Sequence, residues 1–379
     1  MRDTTIRRIT THVLSAPLKA EFAYSQAWYG NRTAMLVEIE TDSGHIGWGE
    51  AFGPPGISAS VVSHLSPLLI GRDAMATDLH WQTMYNALRD HGQRGGAIEG
   101  LSAIDIALWD LRGKYLDTSV AVLLGGPMRS RVQAYATGLY RQRKSDDAML
   151  CDEARQYAGQ GFSAVKLKIG FGLAADITTT GCIRDAIGAD IGLMVDANHA
   201  YDVADALAYA RACADMGLGW FEEPVIPEDM AGYAEVRRAS TIPIAGGEAA
   251  FTRFGFRDLF LARAIDIAQP DAMAVGGITE CKRVFDMATA FGIRCNPHVW
   301  GTGIGLAASL QLLAVVPHAP PSLNPREPLL EFDCTEHPIR QAILQRPLEP
   351  ARGWIDIPSG PGLGIEIDRD ALTRFATRT

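Results

Sequence analysis

The sequence predicts an α/β protein: a modified (β/α) TIM-type barrel with an N-terminal α+β capping domain. Three observations carry this. A strand hairpin and three helical patterns fill the first third of the 379 residues. From about residue 130, short apolar β-rich runs alternate with helical patterns. Acids and bases then recur near the ends of successive runs, where barrels of this type carry their chemistry.

In the first part, Ile6 to Leu14 is β-rich. Ala34–Glu40 and Ile46–Glu50 flank Asp42-Ser43-Gly44, a hairpin turn signal. Ser58–Leu69 and His80–Leu88 have the apolar spacing of helices. In Ala97–Tyr115 the residues Leu101, Ile104, Leu108, Leu111 and Tyr115 share a face. Gly125-Gly126-Pro127 closes this region, so residues 1–128 are expected to form the cap.

The second part, residues 129–352, has eight β-rich runs: Val132–Thr137, Ala164–Ile169, Gly192–Ala197, Trp220–Glu223, Ile242–Ala245, Asp266–Gln269, Ile293–Asn296 and Leu329–Phe332. Helical patterns such as Val203–Met216 and Ile278–Phe291 lie between them. A parallel barrel is expected, with a doubly wound open sheet as the alternative on pattern alone. The tail, residues 353–379, with SGPGLGIEID, is expected to be a return strand or loop.

Composition narrows the function. The chain is 47% hydrophobic and carries a net charge of -9, which disfavours nucleic acid and anionic membranes as partners. Six scattered cysteines without a C-x-x-C pair point to reduced thiols rather than a disulfide frame or zinc site. The mixed, charged start lacks an apolar signal region, and no run approaches the length of a membrane helix. A cytoplasmic protein, forming a homo-oligomer, is expected.

The acids come first in the chemistry. Asp196 ends LMVDAN, Glu222 lies in WFEEP and Glu248 ends IPIAGGE, each 26 residues from the next. That spacing is about one βα unit, so three carboxylates stand on consecutive strands. Converging anions need a cation, and hard oxygen ligands suit magnesium, with manganese as a substitute. Asn198 shares a face with Asp196, and Glu223 adjoins Glu222.

Bases face them. Lys166 and Lys168 in AVKLKIG have the i, i+2 spacing of one strand face, and an apolar outer face leaves them pointing inward. Beside a metal their pKa is expected to fall into the range of a base. His298 ends RCNPH on the seventh run and Asp271 ends IAQPD on the sixth; the carboxylate can fix the ring's tautomer. Glu331 in LLEFD lies near the end of the eighth run, where a protonated acid could bond a substrate carboxylate. A metal on the carboxylate oxygens, aided by Lys166 and Glu331, would stabilise the ene-diolate left when an α proton departs. Lys168 and His298 would take and give protons from opposite faces.

These motifs resemble the mandelate racemase subgroup of the enolase superfamily over essentially the whole chain: K-x-K, the D-x-N, E-E-P and G-G-E series, the Asp271/His298 pair and a late Glu331. The resemblance implies a capped barrel whose C-terminal segment returns to the cap. It implies magnesium on Asp196, Glu222 and Glu248, acid/base roles for Lys168 and for His298 oriented by Asp271, and a substrate-carboxylate contact from Lys166. YNALRDHGQRG, LSAIDIALWD, PHVWGTGIGLAASLQ and SGPGLGIEID are similar to galactarolactone cycloisomerases, which open a sugar-diacid lactone by β-elimination. Acid-sugar dehydratases share the same residues, racemisation or epimerisation of a 2-hydroxy acid needs only Lys168 and His298, and a catalytically idle binding protein is the reading from another class. Cap loops select substrate in this superfamily. EFAYSQAWYGNR carries Phe22, Tyr24, Trp28 and Tyr29 with Arg32 as its only cation; Tyr24, Trp28, Tyr29, Asn198 and Trp300 are therefore candidate substrate contacts.

Overall fold

In the computed structural model, residues 4–144 and 146–377 are described. Residues 1–3 and 378–379, at the ends of the expected cap and tail, lie outside them. The cap opens with strands Ile6–Ala23, Trp28–Thr41 and Ile46–Ala51, paired antiparallel in that order. The last two turn at the expected Asp42–Gly44. Helices Pro55–Leu69, Thr77–Leu88 and Gly96–Tyr115 follow.

The third helix is buried over nearly its whole length, because it lies between the cap sheet and the barrel. Gly49 permits the close approach: a Cβ there would stand 1.9 Å from the Ala103 carbonyl oxygen. On its other side the helix is bonded to the barrel helix Gly277–Phe291. Asp105 accepts from the Thr279 amide (2.9 Å) and hydroxyl (2.6 Å), and the Trp109 ring N–H donates to that hydroxyl at 2.8 Å. The cap is thus fastened to the element that follows Asp271.

The eight barrel strands are Arg131–Thr137, Ala164–Lys168, Gly192–Asp196, Leu218–Glu222, Ile244–Gly246, Ile267–Ala268, Arg294–Cys295 and Leu329–Asp333. They pair in parallel and in sequence, and the eighth lies beside the first. An open doubly wound sheet would put its early strands in the middle; here the order is that of a barrel. The sixth and seventh strands are shorter than their apolar runs. Pro270 and Pro297 follow each by one residue's gap and have no N–H to extend the ladder.

Residue parity divides the interior from the outer core. Val165, Leu167, Leu193, Val195 and Phe221 face the surrounding helices. Tyr135, Ala164, Met194, Trp220, Ala245 and Ile267 form a separate inner cluster. The tail pairs through Trp354–Asp356, antiparallel to the first barrel strand, and runs up to the cap, where the Thr377 amide bonds the Val13 carbonyl. It also forms a short helix, Arg369–Phe375, where the sequence suggested only strand or loop. No helix among the described residues is long and apolar enough to cross a membrane.

Candidate active site

Period-two alternation along each strand places the chemistry. On the second strand Ala164 joins the inner apolar cluster, and Lys166 and Lys168 continue the same face toward the C-terminal mouth. Met194 precedes Asp196 in this way, and Trp220 precedes Glu222. One strand thus supplies both the apolar plug and, two residues on, a charged group above it.

Asp196, Glu222 and Glu248 converge as their spacing predicts: one carboxylate oxygen from each lies within 4.8 Å of the other two. The remaining oxygens are fixed. Glu222 Oε2 accepts from the Trp220 ring N–H and the Gln269 amide, both at 2.8 Å, and Asp196 Oδ1 accepts from the Asn198 amide at 2.9 Å. Glu248 Oε2 is buried without a hydrogen bond; its nearest cation is His298 Nε2, at 3.3 Å and poorly aligned. Three hard anionic donors, two held by neighbours and one free, fit an oxygen-loving divalent cation. Burial pushes Glu222 up to about 7, with the Asp196 and Glu331 charges adding to it against Lys166. Glu223, also buried, is raised well above the carboxylate range by burial and then Glu248.

Both lysines point inward. Lys166 Nζ sits 2.6 Å from Glu222, 2.8 Å from Glu331 and 3.5 Å from Asp196. Lys168 Nζ donates to Asp196 at 2.5 Å and to Asn198 Oδ1 at 3.0 Å. The fall in their pKa expected beside a metal is not what the protein groups produce by themselves, which hold both above the usual lysine value. Burial lowers both, but Glu222 and Glu331 outweigh it for Lys166, and Asp196 for Lys168. A second correction concerns Glu331. Burial alone would raise it, yet Lys166 and His298 hold it down at about 2. It accepts from the Thr137 hydroxyl (2.7 Å) and the Val299 amide (3.1 Å). Glu331 is therefore an ionised anchor for Lys166 rather than a protonated donor. Asn198 likewise spends its side chain on Lys168 and, at 3.4 Å, on Glu223.

On the opposite wall His298 Nδ1 lies 2.7 Å from Asp271 Oδ2, the predicted dyad. Burial works against the imidazolium, but Glu248, Glu331 and the Asp271 bond raise it to about 10. Asp271 is itself raised by burial. Its other oxygen accepts from the Met273 amide at 2.6 Å, so the carboxylate cannot turn. Phe52 of the cap meets the His298 ring edge-on at 5.6 Å.

Between cap and mouth lies a cavity of about 500 Å³ lined by Tyr24, Tyr29, Phe52, Trp300 and His337 among others. Tyr24 and Tyr29 stack at 5.6 Å, and Tyr29 tilts toward Trp300 at 6.1 Å. Trp28, expected beside them, is not in this wall. It is 44% exposed and lies under the Arg143 guanidinium. Neighbours on a strand face opposite ways, so Trp28 and Tyr29 could not both line one cavity. Arg32 is buried and committed. It pairs with Asp333 at 2.8 Å, bonds the Glu336 carbonyl and Thr335 hydroxyl, and stacks over Trp300 at 4.3 Å. Burial and the Arg32 and Arg340 charges hold His337 neutral.

Some contributors were not read from the sequence. Glu50, on the third cap strand, accepts from the Thr302 amide (2.8 Å), the Thr302 hydroxyl (2.6 Å) and the Gly305 amide (2.8 Å). It caps helix Gly303–Val315 from another domain and so fixes the loop that carries His298 and Trp300. No sequence pattern links residues 252 positions apart. Gln269, two before Asp271 on one face, carried a usable signal, since the same i, i+2 rule that placed Asn198 places it.

Residues 149–371 match the enolase C-terminal domain-like family, and residues 7–125 match the mandelate racemase/muconate lactonizing enzyme N-terminal domain. The D-galactarolactone cycloisomerase of Agrobacterium fabrum is 47% identical over 98% of each chain. The arabinonate dehydratase of Saccharolobus solfataricus is 36% identical over 89% of each. The crystal structure of the 3,6-anhydro-D-galactonate cycloisomerase from Zobellia galactanivorans superposes with a TM-score of 0.90 at 37% identity, covering 99% of this chain and 100% of that one.

Proposed function

The chain belongs to the mandelate racemase/muconate lactonizing enzyme family of the enolase superfamily, and we propose that it is a cycloisomerase opening a sugar-acid lactone or an anhydro sugar acid. The observation that carries this reading is the placement of two proton-transfer groups, Lys168 and His298, on opposite walls beside one carboxylate triad. Asp196, Glu222 and Glu248 would hold the cation, and their oxygen donors favour magnesium. When bound, it supplies stabilisation of the negative charge that builds on the substrate carboxylate.

Lys166, anchored by Glu331 and Glu222, adds a fixed positive charge at the same place. With a cation held by Asp196 and Glu248 offsetting the charges that keep Lys168 and His298 protonated, one of the two, in its neutral form, takes the proton from the carbon next to the carboxylate. The C–H electron pair becomes a Cα–Cβ double bond as the bond from Cβ to the ring oxygen breaks. The released oxygen stays in the molecule, as a carboxylate when a lactone opens and as a hydroxyl, after taking a proton, when an anhydro ring opens. The resulting enol takes up a proton at Cβ and gives a 2-keto acid of the same mass. Asp271 holds the His298 ring in one orientation throughout, and Asn198 does the same for Lys168.

The cavity wall favours a ring substrate with one carboxylate. Its aromatic faces suit a compact sugar ring, and its two basic residues are spent or neutral: Arg32 on Asp333, His337 by its surroundings. Dehydration of an open-chain sugar acid is the second reading. The arabinonate dehydratase likeness favours it, and the same bases would serve a departing hydroxyl. Acid-sugar lactones, anhydro sugar acids and open-chain acids should be incubated with the enzyme and magnesium, and the products weighed by mass spectrometry. A 2-keto isomer of unchanged mass is expected. A product lighter by one water, formed with equal efficiency from an open-chain acid, would replace this reading with the second.

A further inference from the structure

At the N-terminal end of the barrel, opposite the candidate active site, is a second cavity of about 400 Å³. The starts of the strands and the loop before the eighth strand enclose it. Arg294, partly buried at the head of the seventh strand, and Arg326, on that loop, both line it. Neither guanidinium has a hydrogen-bond or ion-pair partner among the described residues.

The nearby acids are already committed. Asp266 accepts from Arg237 at 2.8 Å and 2.9 Å and from the Ile244 amide at 2.9 Å. Glu327, itself in the wall, is held by Arg129 at 3.0 Å and His318 at 2.9 Å. Two guanidinium groups line one cavity with neither ion-paired, and Asp266, spent on Arg237, offsets only part of the charge at Arg294, so an anion joining both is favoured. The repulsion is felt at Arg294, whose pKa is lowered first by burial and then by Arg326.

Neutral donors add to the pair. Among the described residues the Gln133 side-chain amide, which lines the cavity, has no partner, and Asn296 spends only its oxygen, on the Leu329 amide at 3.3 Å. Beneath them lie Met194 and Trp220, the underside of the apolar plug. Guanidinium forks and amides at the rim with an apolar floor suit an organic anion, not a bare ion.

We propose that this cavity is a second binding site, distinct from the mouth, for a sugar-sized organic anion whose phosphate or carboxylate is clasped between Arg294 and Arg326. The shared chemistry is a planar or tetrahedral oxyanion taking paired N–H donors; the source is either a phosphate ester or an organic acid.

The test is calorimetric titration of the full-length, magnesium-loaded enzyme with inorganic phosphate, a hexose phosphate and a hexose diacid. Saturable binding of one organic probe is expected, with inorganic phosphate weaker than the hexose phosphate. The Arg294→Ala/Arg326→Ala variant should bind that probe at least about tenfold more weakly. Its turnover without the probe should be unchanged, which separates this site from the mouth. Arg326→Ala, on an exposed loop, serves if the double variant does not fold. Preference for the phosphate or the diacid identifies the source. No saturable binding, or equal binding by wild type and variant, overturns the proposal. So does a change of oligomeric state in the variant without anion binding, since the arginines would then serve contact between copies.

Discussion

The two ends of the barrel interior are built from the same strands and could hardly differ more. The lower layer is Tyr135, Ala164, Met194, Trp220, Ala245 and Ile267. Two residues further along, the second, third and fourth strands carry Lys166, Asp196 and Glu222, all 0% exposed. Below, burial of apolar surface stabilises the fold. Above, burial of charge opposes it, and the charges persist because each lysine lies against carboxylates. Stability and chemistry are separated by a single step of the strand period, and Trp220 spans the step: its ring belongs to the plug while its N–H holds Glu222.

The largest effect is expected where that contrast is removed at the top. Glu222→Ala should abolish turnover and magnesium binding while the circular dichroism spectrum stays native. Retained activity at saturating substrate would refute the ligand assignment. Next, Asp271→Asn leaves the plug untouched and frees the His298 ring. A fall in kcat of roughly 10²–10⁴-fold is expected, with a smaller change in KM. A loss confined to KM would show that the dyad only binds.

At the bottom, Met194→Ala should do the reverse. It should cost roughly 2–5 kcal/mol of stability in denaturant unfolding, with kcat close to wild type at a temperature where the fold holds. Trp220→Phe joins the two ends, keeping most of the ring's bulk but deleting the bond to Glu222 Oε2. Magnesium affinity should fall roughly 10–100-fold with little loss of stability. Equal losses in both measurements would mean that plug and site are not separable at this residue.

The sequence carried this contrast because it is written in short-range rules. Parity along AVKLK and LMVD assigned inside and outside, and the equal gaps between Asp196, Glu222 and Glu248 placed three acids side by side. What it did not carry depends on distant partners. The ionised state of Glu331 is set by Lys166, which is 165 positions away. The raised pKa of Lys166 comes from Glu222 and Glu331, and no composition argument weighs their number against burial. Arg32 could be read as a free cation because Asp333, 301 positions on, is invisible to a local pattern. Trp28 was misplaced for a different reason: strand parity was readable there too, and applying it would have separated Trp28 from Tyr29.

Glu50 offers the finest comparison, being a buried acid with neither a lysine partner nor a ligand role. Its oxygens face only N–H and O–H donors at a helix start, and burial raises it to about 7, with Asp271 adding slightly. An acid raised on folding favours the native state in its protonated form. The contribution is fully present below the unfolded value of about 4.3 and is lost as pH rises through about 7. Glutamine cannot ionise, so Glu50→Gln should lack that loss. Its melting temperature relative to wild type should therefore climb between about pH 5 and about pH 8, by roughly three degrees. Parallel melting curves across this window would place the Glu50 proton elsewhere.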